Sequence, residues 1–130
     1  MSLPATAQPC TFILTADRAR SLPFYTGVLG LALLAQDDFA ATLDAGNGTP
    51  LRLTTHAGWV AQPHTMLGWN VTDIRAAMAA LIAKGVTFKV YEGFGQDTSG
   101  VWSTPDGGAH VAWFADPDGN ILSLTQFGEQ

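Results

Sequence analysis

Few residues in this 130-residue chain could do chemistry: three histidines, one cysteine, eleven acids and six Lys or Arg. His56, His64 and His110 lie far apart and lack the short spacing that lets imidazoles share a metal. Each therefore reads alone, as a surface or core-edge residue. Cys10 has no base or cation close in sequence to generate a thiolate, so it reads as a small buried thiol rather than a nucleophile. Asp116-Pro-Asp118-Gly-Asn120 opens like a calcium loop, but Ile121 stands where that loop needs Gly and Phe127 where it needs Glu. A type I turn with Pro117 at its second position fits better. Dinucleotide, Walker, serine-hydrolase and zinc-protease motifs are all missing.

The elements that must position these residues come from an internal repeat. Thr11-Phe-Ile-Leu-Thr-Ala-Asp17, a helical stretch ending at Gly30, and Leu31-Ala-Leu-Leu34 form the first half. Met66-Leu-Gly-Trp-Asn-Val-Thr-Asp73, a helix ending at Gly85, and Val86-Thr-Phe-Lys-Val-Tyr91 form the second. Asp17 and Asp73 are 56 residues apart, Gly30 and Gly85 55. Gly46-Asn-Gly-Thr-Pro-Leu-Arg-Leu-Thr-Thr55 is echoed by Asp118-Gly-Asn-Ile-Leu-Ser-Leu-Thr-Gln126. Each half thus reads strand, helix, strand, strand, strand. Asp73 is a good N-cap, Ile74, Met78, Leu81 and Ile82 make one apolar stripe, and Gly85 suits a left-handed helix end. In the first half, either Asp17 caps a helix that kinks at Pro23, or the helix starts near Ser21 with Pro23 in its first turn. The second arrangement is the expected one. Module one is expected over about 8–56, a linker over 57–63 and module two over 64–127, all in a single domain.

Strand alternation sorts side chains onto two faces. Leu67, Trp69 and Val71 are expected under the Asp73 helix, with Met66, Gly68 and Asn70 on the open face. By the repeat, Thr11, Ile13 and Thr15 are expected to be covered, whereas Cys10, Phe12 and Leu14 are open. Arg52 and Thr54, like Ser123 and Thr125, join the open faces. Trp59 and Trp102, in Gly-rich connections, read equally well as lids or as edge packing.

Composition bounds the partners. The chain is 47% hydrophobic and 13% charged, with a net charge of −5 and no basic run, so nucleic acid is an unfavourable partner. A lone cysteine closes no internal disulfide, and no apolar run is long enough to span a membrane. The N-terminal segment lacks a charged region followed by an apolar one, so a soluble, cytoplasmic protein is expected.

The sequence resembles the vicinal oxygen chelate superfamily of glyoxalase I, bleomycin-resistance proteins, fosfomycin-resistance transferases and extradiol dioxygenases. Three stretches carry the resemblance: Asp17-Arg-Ala-Arg-Ser-Leu-Pro-Phe-Tyr25 with Val28-Leu-Gly-Leu31; Asn70-Val-Thr-Asp73-Ile with Lys84-Gly85-Val86; and Ala112-Trp-Phe-Ala-Asp-Pro-Asp-Gly-Asn-Ile-Leu-Ser-Leu124. It implies an α+β fold of two tandem βαβββ modules, whose mixed sheet curls into an open barrel with helices outside and a cavity between the modules. Family enzymes hold a divalent metal through one residue of the first and one of the last strand of each module. Those positions fall here on Cys10, Met66, Arg52 and Ser123, a set with no carboxylate and no imidazole. A metal is therefore not expected, nor any other cofactor.

Two functions follow from the resemblance. The first is a metal-free protein of the bleomycin-resistance kind that binds a small molecule and acts by sequestration or sensing. The second is a glyoxalase-like lyase, isomerase or dioxygenase with a displaced metal site or an acid/base such as His110. The expected ligand-binding residues are Phe12, Leu14, Arg52, Trp59, Met66, Asn70, Trp102, His110 and Ser123. Arg52 would pair with an anionic group of the ligand or, alternatively, with Asp44. No catalytic residue is assigned, and a homodimer is implied by resemblance alone.

Overall fold

The computed structural model describes residues 2–128. The chain packs as two compact units, the first ending at Val60 and the second starting at Ala61. Unit one contains β1 (Thr11–Thr15), α1 (Arg18–Pro23), a π-helical segment (Phe24–Val28), β2 (Ala32–Gln36), β3 (Ala40–Asp44) and β4 (Pro50–Thr55). Unit two contains β5 (Thr65–Asn70), α2 (Ile74–Ile82), β6 (Trp102–Ser103), β7 (Ala109–Ala115) and β8 (Ile121–Phe127). The fold is α+β, two βαβββ modules in tandem. Their sheets have the same wiring, β1-β4-β3-β2 and β5-β8-β7-β6. In each, the first strand runs parallel to the last and the other neighbours are antiparallel.

Alternation decides what lies under each helix. In unit one, Ile13, Thr15, Leu51 and Leu53 are fully buried, and Tyr25 packs among the largest buried side chains. In unit two, Leu122, Leu124 and Gln126 alternate with Ser123 and Thr125. Gln126 Oε1 accepts from the Ile74 N–H at 2.8 Å, so this set faces α2. Asp73 caps α2 by accepting from the Ala76 N–H at 3.0 Å. Gly85, at φ 96°, closes it: the Gly85 N–H donates to Ile82 O and the Val86 N–H to Leu81 O.

The structure corrects several expectations. The first helix begins at Arg18, not near Ser21, so Pro23 ends α1 instead of starting it. Proline offers no N–H, and the chain continues as a π turn in which the Leu29 N–H reaches Phe24 O. Residues 86–91 form no strand; the second strand of unit two is instead the two-residue β6. Ile82 is exposed at the last turn of α2, and Trp69 is only half-buried. Cys10 is exposed because it precedes the β1 ladder. The Asp116–Gly119 turn is as expected, with the Gly119 N–H donating to Asp116 O at 2.9 Å.

Candidate functional site

The open face of the unit-two sheet carries the concave site. Trp113 on β7 stands opposite Ser123 on β8, and Ser123 stands opposite Gly68 on β5. A Cβ on Gly68 would run into the Ser123 hydroxyl as it stands, so glycine lets that hydroxyl lie close over β5 without turning away. Beside it lies a cavity of about 320 Å³. Trp113 and Ile121 form its floor, Tyr91 and Phe94 enter from the long α2–β6 connection, and Pro63, His64 and Thr65 close the remaining side. Three of its rings touch one another. Centroids lie 6.1 Å apart for Tyr91–Trp113, 5.5 Å for Phe94–Trp113 and 6.1 Å for Tyr91–Phe94, all edge-to-face. Trp102 extends the cluster through Phe94 at 6.1 Å. Such a lining favours an apolar body oriented by few polar points.

The connection bearing Tyr91 and Phe94 is anchored through Asp97. Its carboxylate accepts from the Ser99 and Val101 N–H groups, at 2.9 and 3.0 Å, and pairs with Arg75 of α2 at 2.5 Å. Partial burial works against ionisation here. The Arg75 side chain and the two backbone N–H groups outweigh it and hold the Asp97 carboxyl below its ordinary value of 3.8. A carboxyl lowered on folding stabilises above its unfolded value, and the benefit fades as pH falls through the folded one. Protection factors at Ser99 and Val101, taken against intrinsic exchange at each pH, should therefore fall below about pH 4 in the wild type. In Asp97→Asn they should be low already at neutral pH. Equal protection in both proteins at neutral pH would remove this anchoring role.

The expected ligand-binding residues fall into separate groups. Met66 sits at the bulge in β5 between Thr65 and Leu67, half-buried, and Asn70 is exposed at the strand's end. Ser123 is buried on the open face beside Gly68. Trp102 borders the ring cluster through Phe94. None of these four lines the cavity itself. His110 lies on the α2-covered face, 8% exposed, its Nδ1 2.6 Å from Ser103 Oγ and its Nε2 without a partner. In unit one, Phe12 is 58% exposed, Leu14 and Arg52 are half-buried, and Phe12 and Arg52 are paired across β1 and β4. Asp44 accepts from the Gly46 and Gly48 N–H groups, and no ion pair joins it to Arg52. Trp59 is half-buried against His56 in the connection after β4.

Sequence reasoning did not select Tyr91, Phe94, Trp113 or Ile121 as ligand-binding residues. Alternation of Trp113 with Phe114 was the available signal, because neighbouring residues of a strand cannot both face the core. Phe114 packs on Phe88 at 5.4 Å on the covered side, which leaves Trp113 to the open one.

A family model described as the Glyoxalase/Bleomycin resistance protein/Dioxygenase superfamily matches residues 7–124. The chain belongs to this superfamily. Solved structures agree on the fold. A superfamily member from Sphaerobacter thermophilus is 24% identical with a TM-score of 0.72, covering 93% of this chain and 97% of its own. A putative glyoxalase family protein from Bacillus anthracis, 12% identical, gives a TM-score of 0.74 over 98% of this chain and 100% of its own. TnmS3, an antibiotic binding protein from a Streptomyces species, is 23% identical with a TM-score of 0.70, covering 98% and 100% respectively. No curated protein matches the sequence.

Superfamily enzymes use a divalent metal, so the donor set is the test. The resemblance puts Cys10, Arg52, Met66 and Ser123 at the family's ligand positions; Cys10 precedes β1, none of the four is a carboxylate or imidazole, and a guanidinium repels a cation. Among the described residues, no group of three or more His, Cys, Asp or Glu could hold a metal ion. The residues present do not fit the family metal. Also among the described residues, no helix is long and apolar enough to cross a membrane.

Proposed function

We propose that the protein binds an apolar, ring-bearing small molecule in the unit-two cavity and acts without a metal, by sequestration or sensing. The observation that carries this reading is the cavity of about 320 Å³ walled by Tyr91, Phe94 and Trp113. Support comes from a superfamily that includes bleomycin-resistance proteins and from a structural neighbour named as antibiotic binding. The poor donor set favours binding over metal-dependent turnover. Titration with indole and benzyl alcohol, followed at the tryptophan Nε1–H signals by NMR, tests it. Saturable shifts centred on Trp113 are expected. Stoichiometric metal in protein purified without chelator, lost together with an activity on chelation, would sink the metal-free reading.

The same proposal includes a homodimer. Exposed Leu33 and Leu34 on the edge strand β2, with exposed Phe12 and Phe39, give unit one apolar surface suited to pairing. Sedimentation equilibrium at a single monomer mass would remove that part.

A further inference from the structure

Between α2 and β6 the chain has no strand ladder, yet one side chain ties its backbone at three points. Gln96 Oε1 accepts from the Tyr91 N–H at 2.6 Å. Gln96 Nε2 donates to the Lys89 carbonyl at 2.9 Å and to the Gly100 carbonyl at 2.6 Å. A primary amide has one oxygen and two N–H donors, so both of its ends are engaged. The Lys89 N–H in turn donates to Trp113 O at 2.8 Å, linking the tied segment to the strand that carries the cavity's third ring. Gly100 makes the knot possible. It holds φ 99°, and a Cβ there would lie 2.9 Å from the Lys89 carbonyl oxygen.

We propose that Gln96 is the positioning residue of the ligand cavity: its amide fixes the Tyr91 backbone and so sets the ring wall that selects ligands by shape. This rests on the cavity being the ligand site. Phe94 lies between the tied residues Tyr91 and Gly100, so the strap bears on two of the three rings. A wall built before the ligand arrives spares binding the cost of ordering a loop. Arg75 and Asp97 hold the far side of the same loop to α2, which leaves the cavity side to Gln96.

Two variants separate positioning from bulk stability. Gln96→Ala removes all three bonds. Gln96→Glu keeps an acceptor for the Tyr91 N–H but, as a carboxylate, sets oxygen against the Lys89 and Gly100 carbonyls. Protonation restores one O–H donor, so crowding by carbonyls raises the new carboxyl above its ordinary range. Its strap is present at low pH and lost as pH rises.

The readouts are exchange of the Tyr91 amide, the Trp113 Nε1–H shift and the dissociation constant for indole. In Gln96→Ala, exchange at Tyr91 should speed by at least about tenfold and indole binding should weaken about tenfold, the scale of one charge-free hydrogen-bond network lost. In Gln96→Glu both defects should be full at about pH 8 and partly repaired at about pH 5. The wild type over the same range subtracts its ionisable neighbours Lys89, Glu92, Asp97 and His64. Unchanged Tyr91 exchange and Trp113 shift in Gln96→Ala overturn the proposal. So does a uniform loss of protection across unit two, or a Gln96→Glu defect that ignores pH. If indole fails to bind the wild type while Tyr91 and Trp113 respond as described, the ligand reading falls and the strap stands.

Discussion

Replacing Asp116 with alanine is expected to destabilise the fold by about 3 kcal/mol, because it strips buried N–H donors of their acceptor. Asp116 is 5% exposed and Asn120 fully buried, at the turn that joins β7 to β8. One carboxylate oxygen accepts from the Asp118 and Asn120 N–H groups, and the other from the Asn120 side-chain amide, each at 2.9 Å. Water can serve the half-buried Asp118 N–H more readily than the donors of the fully buried Asn120. A buried donor that loses an acceptor costs roughly 1–3 kcal/mol. For a chain of this length that loss lowers the melting temperature by roughly 10–15 °C. Asp116→Asn, which keeps one acceptor oxygen, should lose about half as much. Thermal and urea unfolding decide it, and a loss below about 1 kcal/mol for alanine would show that the turn closes without its carboxylate.

Trp113→Ala is expected to abolish most ligand binding, by roughly 30-fold or more, while leaving the fold cooperative. A buried aromatic anchor at the centre of a site is worth about 2 kcal/mol or more. Trp113, half-buried in the free protein, would be covered by a ligand there, since it touches both Tyr91 and Phe94 and forms the sheet side of the cavity. It is half-buried and lies across the sheet from the Phe114 core, so truncation opens the cavity rather than the interior. Trp113→Phe keeps a ring of smaller area and should cost only a few-fold, about 1 kcal/mol or less. Calorimetric titration with indole measures both. Wild-type affinity in Trp113→Ala would place the ligand elsewhere, and the open face of unit one, with Phe12 and Arg52, would then be the next place to probe.

The chain's repeat made its architecture legible, because periodicity and punctuation are local signals. Asp73 and Gly85 mark the ends of α2, and the same pattern offset along the chain defines the other module. The first helix was misjudged at Pro23, where two starting points satisfy proline equally and the choice falls to tertiary packing of Tyr25. Val86–Tyr91 has the composition of a strand, yet the Gln96 side chain occupies the Tyr91 N–H and the Lys89 carbonyl that a ladder would use. The face of the unit-two sheet could be read from alternation, but not the end of it that hollows out. That depends on Tyr91 and Phe94, which a loop of long sequence separation folds back onto Trp113.

Phe12 opposite Arg52 and Gly68 opposite Ser123 occupy the same crossing of the same wiring, one a bulky ring beside a cation, the other almost nothing. The backbone ladder holds the strands in the same step at both crossings. For anyone wishing to re-engineer the protein, the unit-one crossing is the place to vary side chains, since the register there is held by the backbone ladder. Its counterpart in unit two has less freedom, since any side chain at position 68 obliges the Ser123 hydroxyl to turn away.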